Sequence, residues 1–371
     1  MSNFIPLSSQ VSKTQSELPN SAAVPASIAI RTSFAHHASH AGYKQVLRYT
    51  QPKAIFGVNE HEPEKTSRLK QRYHFLIEWE AKAYAKKHPV DVIHILYGEE
   101  YFRFSTRLFP KTPVIATFHQ PPVTLQREVE RGDYQGRIGR LTHLMNRQRF
   151  QQLGAAIVMT PAQKEVLARV MPEEKVHVIP LGTDLQTLTQ YHQQMEKTRN
   201  PHQLLTVGNW MRDWDFYAAF VAHCLQHHPE WKFILVNRKL PKRFFDLLSV
   251  SPNVEIKMDI SDDDLYQLYG TSSLQFLPFS GAAGNNSMNE GLALGCPSVT
   301  NILNTQYQHS DQIINSFPTG SLESSRIACE EMLQRMNIQG DQLSALAQEA
   351  VMRFDWSHIG QQTLTIYQQV L

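Results

Sequence analysis

At 371 residues the chain exceeds the roughly 250–300 at which a single core stops growing, so two domains of ordinary size are expected. Hydrophobic residues at 42% and charged residues at 19% exclude a disordered chain, and no apolar run of about 18 residues occurs that could cross a bilayer. Net charge is only +2, but residues 1–200 carry 26 basic and 17 acidic side chains (+9) and the remainder 10 and 17 (−7).

In chain order, residues 1–26 hold one cation, Lys13, and no apolar core of leader length, and read as a flexible tail of a cytoplasmic protein. From residue 27, short β-rich runs alternate with amphipathic stretches: 27–34 then 41–50, 90–98 then 101–109, 112–120 then a helical span to about 150, 155–160 then 161–171, and 176–180. Repeated βα implies a parallel sheet covered on both faces, here a first domain over 27–185. Within it Arg127, Arg131, Arg137, Arg140, Arg147 and Arg149 lie in one stretch. They read either as a basic surface for an anionic partner or as a solvated helix face laced with Glu128, Glu130 and Asp133.

The polar segment 186–202 reads as a linker, and a second βα series fills 203–353: strands near 204–208, 232–237, 253–257, 274–280 and 297–301 with helical stretches between them. Residues 354–371, with Trp356, Ile359, Leu364, Ile366, Tyr367 and Val370 at helical spacing, form a closing helix. The fold class is therefore α/β, two Rossmann-like doubly wound lobes whose strand carboxyl ends face each other across a cleft. Cys224, Cys296 and Cys329 are scattered and read as reduced packing residues. Neither a nicotinamide Gly-x-Gly-x-x-Gly nor a P-loop is present, so hydride transfer and ATP hydrolysis fall away.

Chemistry concentrates in 276–301, where a strand leads through Gly284, Asn285 and Asn286 into a helix. Free amides of Ser287, Met288 and Asn289 with the helix dipole would bind phosphate, and Glu290 would take two sugar hydroxyls. The plainer alternative makes Asn286 or Ser287 an N-cap and Glu290 a first-turn charge. Arg212, after Gly208 and Asn209, reads either as a clamp on a diphosphate or as a surface ion pair with Asp213 or Asp215. His119 and Gln120 follow a strand end facing the cleft. His36, His37 and His40 precede Gly42 at the mouth of a helix and read as acceptor or phosphate contacts or as loop filler, with no metal expected. Asp213-Trp214-Asp215 and Asp262–Asp264 each open a helix, where Asp serves as a cap.

Several of these segments, in order, resemble the group 1 glycosyltransferases (family 4) of the GT-B fold. Residues 284–301 (GNNSMNEGLALGCPSVTN) are similar to that family's donor block, 176–185 (VHVIPLGTDL) to its strand and turn entering the interdomain region, 204–220 to the strand opening its second lobe, 262–279 to its L-x-x-L-Y helix and following strand, and 354–360 (FDWSHIG) to the opening of its last helix. The resemblance implies a GT-B protein whose last helix closes back on the N-terminal lobe. Its activity would be retaining, metal-independent transfer of a hexose from a nucleotide-sugar, UDP- or GDP-linked, to a glycan, lipid-linked or small-molecule acceptor, as in polysaccharide or glycoconjugate biosynthesis. Glu290 would hold the donor ribose, Arg212 the diphosphate, and His119 the transferred sugar, with Gly42, Gly208, Asn209 and residues 284–288 around the donor and His36, His37, His40 and Gln120 toward the acceptor. No cofactor and no nucleic acid are implied. The basic first lobe suits peripheral contact with the anionic inner membrane face. The pattern departs at Ala282, where the family has its first glutamate, and no carboxylate nucleophile is visible beside His119, which favours same-face attack. Alternatives are a GT-B nucleotide-sugar epimerase or phosphorylase, or a non-catalytic sugar-binding protein.

Overall fold

Strands buried on both faces of a parallel sheet read as continuous rather than alternating apolar runs, and the fold follows that rule. A computed structural model describes residues 24–34, 42–61, 68–131, 147–194, 198–301, 307 and 309–371. Strands β1 (Ser27–Ile30), β3 (Val92–Ile95), β4 (Val114–Phe118) and β5 (Ala155–Val158) are buried at every position. With β2 (Ala54–Phe56) and β6 (Val176–Val178) they make a wholly parallel sheet ordered β2-β1-β3-β4-β5-β6. The second sheet, also parallel, is ordered β12-β11-β10-β7-β8-β9, from β7 (Asn200–Val207), β8 (Lys232–Val236), β9 (Val254–Lys257), β10 (Ser272–Leu277), β11 (Ser298–Thr300) and β12 (Ile314–Ser316). Two doubly wound lobes are thus as expected, each with apolar clusters against its sheet. The edge strands β2 and β12 went unread because each has three residues and an incompletely buried pattern.

Much of the polar segment 186–202 belongs to the second lobe. The helix Leu185–Gln194 buries Leu185 and Leu188 in the second lobe, and β7 already begins at Asn200. At the other end of the chain, the helix Trp356–Gln369 returns to the first lobe, placing Trp356, Ile359, Ile366 and Tyr367 in its core. There the Tyr367 hydroxyl lies 2.8 Å from Nδ1 of the buried His94, whose Nε2 lies 2.8 Å from Thr117 Oγ1.

The chain therefore crosses between lobes at 180–185 and again at 352–356, and the two crossings are zipped together. The Thr183 amide donates to the Phe354 carbonyl (2.8 Å), and the Trp356 amide to the Thr183 carbonyl (3.3 Å). Gly182 lies flat on the Trp356 indole: a Cβ there would stand 2.5 Å from Cδ2 and Cε3 of the ring. Gly182→Ala is accordingly expected to lower stability by about 1–3 kcal/mol, the usual magnitude of overpacking. Urea unfolding followed by Trp fluorescence checks this, and an unchanged midpoint would mean the crossing yields freely.

Candidate active site

The carboxyl ends of both sheets, where chain order reverses between β1 and β3 and between β7 and β10, meet across the cleft. After β10 the loop 280–285 presses on the first lobe. A Cβ on Gly281 would stand 3.3 Å from the Pro121 side chain, and one on Gly284 3.2 Å from that of Leu181. Gly284 and Gly208 have φ of +102° and +103°, the left-handed region that glycine enters without strain.

The helix Asn286–Ala293 follows, capped by Asn285, whose Oδ1 accepts from the Met288 amide (3.0 Å) and the Ser287 hydroxyl (2.5 Å). The cap is thus Asn285, not Asn286 or Ser287. The Asn289 amide is also spent, on the Asn285 carbonyl at 3.2 Å. The expected trio of free amides is corrected: the amides of Asn286 and Ser287 are the first-turn donors without an intrahelical acceptor. The Asn289 side chain instead ties the helix to the interlobe crossing, donating from Nδ2 to the Leu181 carbonyl (3.0 Å) and accepting from the Tyr307 hydroxyl (2.5 Å).

Arg212 is buried at this helix's open end. Its Nη2 donates to the Val207 carbonyl (2.6 Å) and to Ser287 Oγ (2.8 Å), and its guanidinium carbon lies 4.4 Å from the Phe279 ring centroid. Among the described residues it has no carboxylate partner. Asp213 caps the helix Trp214–His227 instead, and Asp215 pairs with Arg243 at 3.0 Å, which removes the surface ion-pair alternative. Burial pulls the guanidinium down to about 10, still charged at neutral pH. Nε is buried without a partner. A desolvated cation short of acceptors is an anion site in waiting.

Glu290 lines a narrow cleft with Gly42 of the first lobe, Asn286, Trp356 and the crossing residues Gly182, Thr183 and Asp184. Residues called from separate parts of the sequence, Gly42, Asn286 and Glu290, thus converge. Burial pushes the Glu290 carboxyl up to about 8, with Asp262 adding to the rise and the neighbouring Tyr269 opposing it. Ala282, where a second carboxylate was expected from the resemblance, packs at the edge of the second lobe's core.

On the opposite lobe His119 sits between Tyr43 and Tyr97, with ring centroids at 4.9 and 4.8 Å. Its Nε2 lies 2.8 Å from the Leu96 carbonyl, which can only accept, so Nε2 carries the proton and Nδ1 is left as an acceptor. Burial drives the imidazole down to about 4 and keeps it neutral. Sequence shows no carboxylate nucleophile beside His119, but the structure does place a carboxyl group there: both Glu99 carboxyl oxygens lie 3.3 Å from the His119 amide, which donates to them. The reason is register. Strands β3 and β4 pair directly, Ile95 opposite Ala116, so the turns that follow them are neighbours although Glu99 and His119 are 20 residues apart. Burial pushes Glu99 up to about 8, so at neutral pH it is mostly protonated. The Glu99-Glu100 pair opening the short helix after β3 was the available signal.

The remaining expected residues lie elsewhere. Asn209 is exposed beyond the Gly208 turn, and Gln120 contributes its carbonyl to Gln163 Nε2 (2.8 Å). His36, His37 and His40 lie outside the described residues, as do Arg137 and Arg140. Arg149 is no surface charge: it is buried against the Phe102 and Phe150 rings and paired with Glu128 at 3.3 Å. The run Asp262–Asp264 forms the first turn of its helix, but the cap is Ser261. All three cysteines are buried and free. Among the described residues no cluster of three His, Cys, Asp or Glu could hold a metal, and no helix is long and apolar enough to cross a membrane.

Residues 34–187 match the model of Glycosyltransferase Family 4. No curated protein is similar enough in sequence to stand as a relative. Among solved structures, sucrose-phosphate synthase from Thermosynechococcus elongatus is similar over 93% of this chain and 99% of its own, with TM-score 0.70 and 18% identity. A UDP-forming alpha,alpha-trehalose-phosphate synthase from Burkholderia vietnamiensis is similar over 92% and 99%, with TM-score 0.68 and 10% identity. The catalytic domain of starch synthase IV from Arabidopsis thaliana, bound to ADP and acarbose, is similar over 94% and 99%, with TM-score 0.62 and 10% identity. These likenesses bear out the two-lobed GT-B architecture.

Proposed function

From a chain with the GT-B fold whose residues 34–187 match glycosyltransferase family 4, we propose that the cleft transfers a sugar from a nucleoside-diphosphate donor to an acceptor held on the first lobe. The observation that carries this reading is Arg212: a buried cation without a counter-charge among the described residues, bonded to Ser287 at the open end of the Asn286–Ala293 helix. The diphosphate would lie against Arg212 and the Asn286 and Ser287 amides, where charge grows as the glycosidic bond breaks. Glu290, ionised, would accept from two ribose hydroxyls. Across the cleft, neutral His119 would receive a hydroxyl of the transferred sugar at Nδ1. Closure of the lobes would exclude water from the reacting carbon.

Retention of configuration follows in this reading from same-face attack, with the departing phosphate taking the acceptor proton. Glu99 is a poor nucleophile, being largely protonated and turned to the His119 amide. In this reading Arg212, rather than a metal ion, offsets the charge on the leaving diphosphate. Glu99→Gln keeps an oxygen for that amide and is expected to leave turnover within about threefold of wild type at pH 7. A loss of about a thousandfold would instead make Glu99 a covalent participant.

The direct test is release of nucleoside diphosphate from UDP-, GDP-, ADP- and dTDP-sugars, with and without sugar, sugar phosphate and glycan acceptors. Acceptor-dependent release from one donor is expected. Acceptor-independent conversion of the donor sugar to another sugar would overturn transfer.

A further inference from the structure

The closing helix Trp356–Gln369 touches the cleft through Trp356 at its first turn, and reaches it a second time through a buried chain of polar side chains. It is seated tightly on the first lobe: a Cβ on Gly360 would stand 2.4 Å from that of Tyr49. Near its far end the Tyr367 hydroxyl lies 2.8 Å from His94 Nδ1, His94 Nε2 lies 2.8 Å from Thr117 Oγ1, and Thr117 Oγ1 donates to the Tyr43 hydroxyl at 3.3 Å. Sheet register makes the middle of this chain, since β3 and β4 pair with His94 opposite Ile115, and Thr117 is the next residue of β4 on that face. All four side chains are buried. Their protons run in one direction. A threonine hydroxyl has one proton, and that of Thr117 goes to Tyr43, so Thr117 accepts from His94 Nε2–H. Burial, with His119 adding, pulls the His94 imidazole down to about 3, so it is neutral; with Nε2 protonated, Nδ1 accepts from the Tyr367 hydroxyl. The receiving end of the chain is Tyr43, whose ring meets that of His119 at 4.9 Å and 73° and that of Trp356 at 5.9 Å. Gly42, the residue before it, lines the cleft with Glu290.

We propose that Tyr367 and His94 are positioning residues for His119: through Thr117 and Tyr43 they make the histidine's place in the cleft depend on the closing helix being seated on the first lobe. The Leu96 carbonyl and Glu99 hold Nε2 and the backbone of His119 from within the first lobe. Tyr43, which also meets Trp356, brings the closing helix to bear on the ring. A hydrogen-bonded chain running one way polarises and orders each of its members, so removing the hydroxyl of Tyr367 loosens Tyr43 at the other end. The inference rests on the glycosyl-transfer reading for the use made of His119, and not for the chain itself.

Tyr367→Phe and Tyr43→Phe each delete one hydroxyl and keep the ring. Both, and the double variant, are compared with wild type by NMR of the histidine ring nitrogens, by affinity for UDP, GDP, ADP and dTDP, and by turnover of the donor that is used. His94→Gln and His119→Gln assign the two signals. Wild type is expected to show His94 as the Nε2–H tautomer. Each single variant is expected to shift the His119 nitrogen signals and to lower kcat by about tenfold with nucleotide affinity within about twofold of wild type, and the double variant to lose no more than the larger single loss, as for members of one chain. His94 as the Nδ1–H tautomer, or His119 signals unshifted in both single variants, would overturn the inference, and so would losses that multiply to about a hundredfold in the double variant. A purely structural chain would lower the melting temperature of the variants and leave the His119 signals and kcat as they are. Absence of turnover with every donor and acceptor would count against the glycosyl-transfer reading, and the histidine signals would still decide the chain.

Discussion

Arg212→Met should reduce kcat/KM for the donor by about a hundred- to a thousandfold, the loss seen when a donor aimed at developing charge is removed from a dry site. Two features set that size. The guanidinium is buried, so its attraction for a diphosphate is little screened, and its fork supplies donors beyond those spent on Val207, Trp210 and Ser287. Arg212→Lys keeps the charge without the fork and should fall between wild type and Arg212→Met. Because Arg212 also braces the loop after β7, thermal unfolding must accompany the kinetics. A purely structural role would lower the melting temperature and leave nucleotide affinity of the folded protein unchanged.

The second large effect is expected at Glu290. Glu290→Ala removes the proposed acceptor for two ribose hydroxyls and at pH 7 should weaken nucleotide binding by about ten- to a thousandfold, since two hydrogen bonds to a charged group are worth about 3–6 kcal/mol together and ionising a carboxyl that lies at about 8 costs about 1.4 kcal/mol of it. The effect should depend on pH in a direction that can be worked out. The carboxyl lies at about 8 in the free protein because burial disfavours its charge. Ribose hydroxyls donate to the ionised form, so binding expels a proton, and affinity should rise from pH 6 to 8 by up to about tenfold per unit and then level. Glu290→Gln should abolish that slope. Stability runs the other way: a carboxyl raised above its ordinary value of 4.5 holds its proton more tightly when folded. Its contribution to the free protein is therefore full below that value and is lost as pH rises to about 8. Bound nucleotide should flatten this decline in wild type.

Much of this architecture was legible because parallel strands buried on both faces leave an unmistakable trace, as in the apolar runs that became β3, β4 and β10. The crossing at 180–185 and the Asp355-Trp356 segment were each legible as motifs, but not that Thr183 and Phe354 would bond to one another, since pairing over so long a separation is fixed by both lobes packing at once. The helix Asn286–Ala293 is legible from its small residues and glutamate. Its capping was misread because Asn285, Asn286 and Ser287 are all good caps, and only backbone geometry, φ of −148° at Asn285, chooses among them. Glu99 escaped for a different reason: a carboxylate 20 residues from the histidine it touches carries no periodic signal, and sheet register alone unites them. Arg149 shows the converse. A basic run on paper suggested a surface, yet one member is buried in the core because Glu128 and two aromatic rings accept it.

A donor diphosphate held between Arg212 and Glu290 is the central proposal. Isothermal titration of UDP, GDP, ADP and dTDP into wild type, Arg212→Met and Glu290→Ala tests it most directly. It predicts that one nucleotide binds wild type with a single site and loses at least about tenfold in affinity in each variant. Binding of none of them to wild type, or of one with equal affinity to all three proteins, would contradict it.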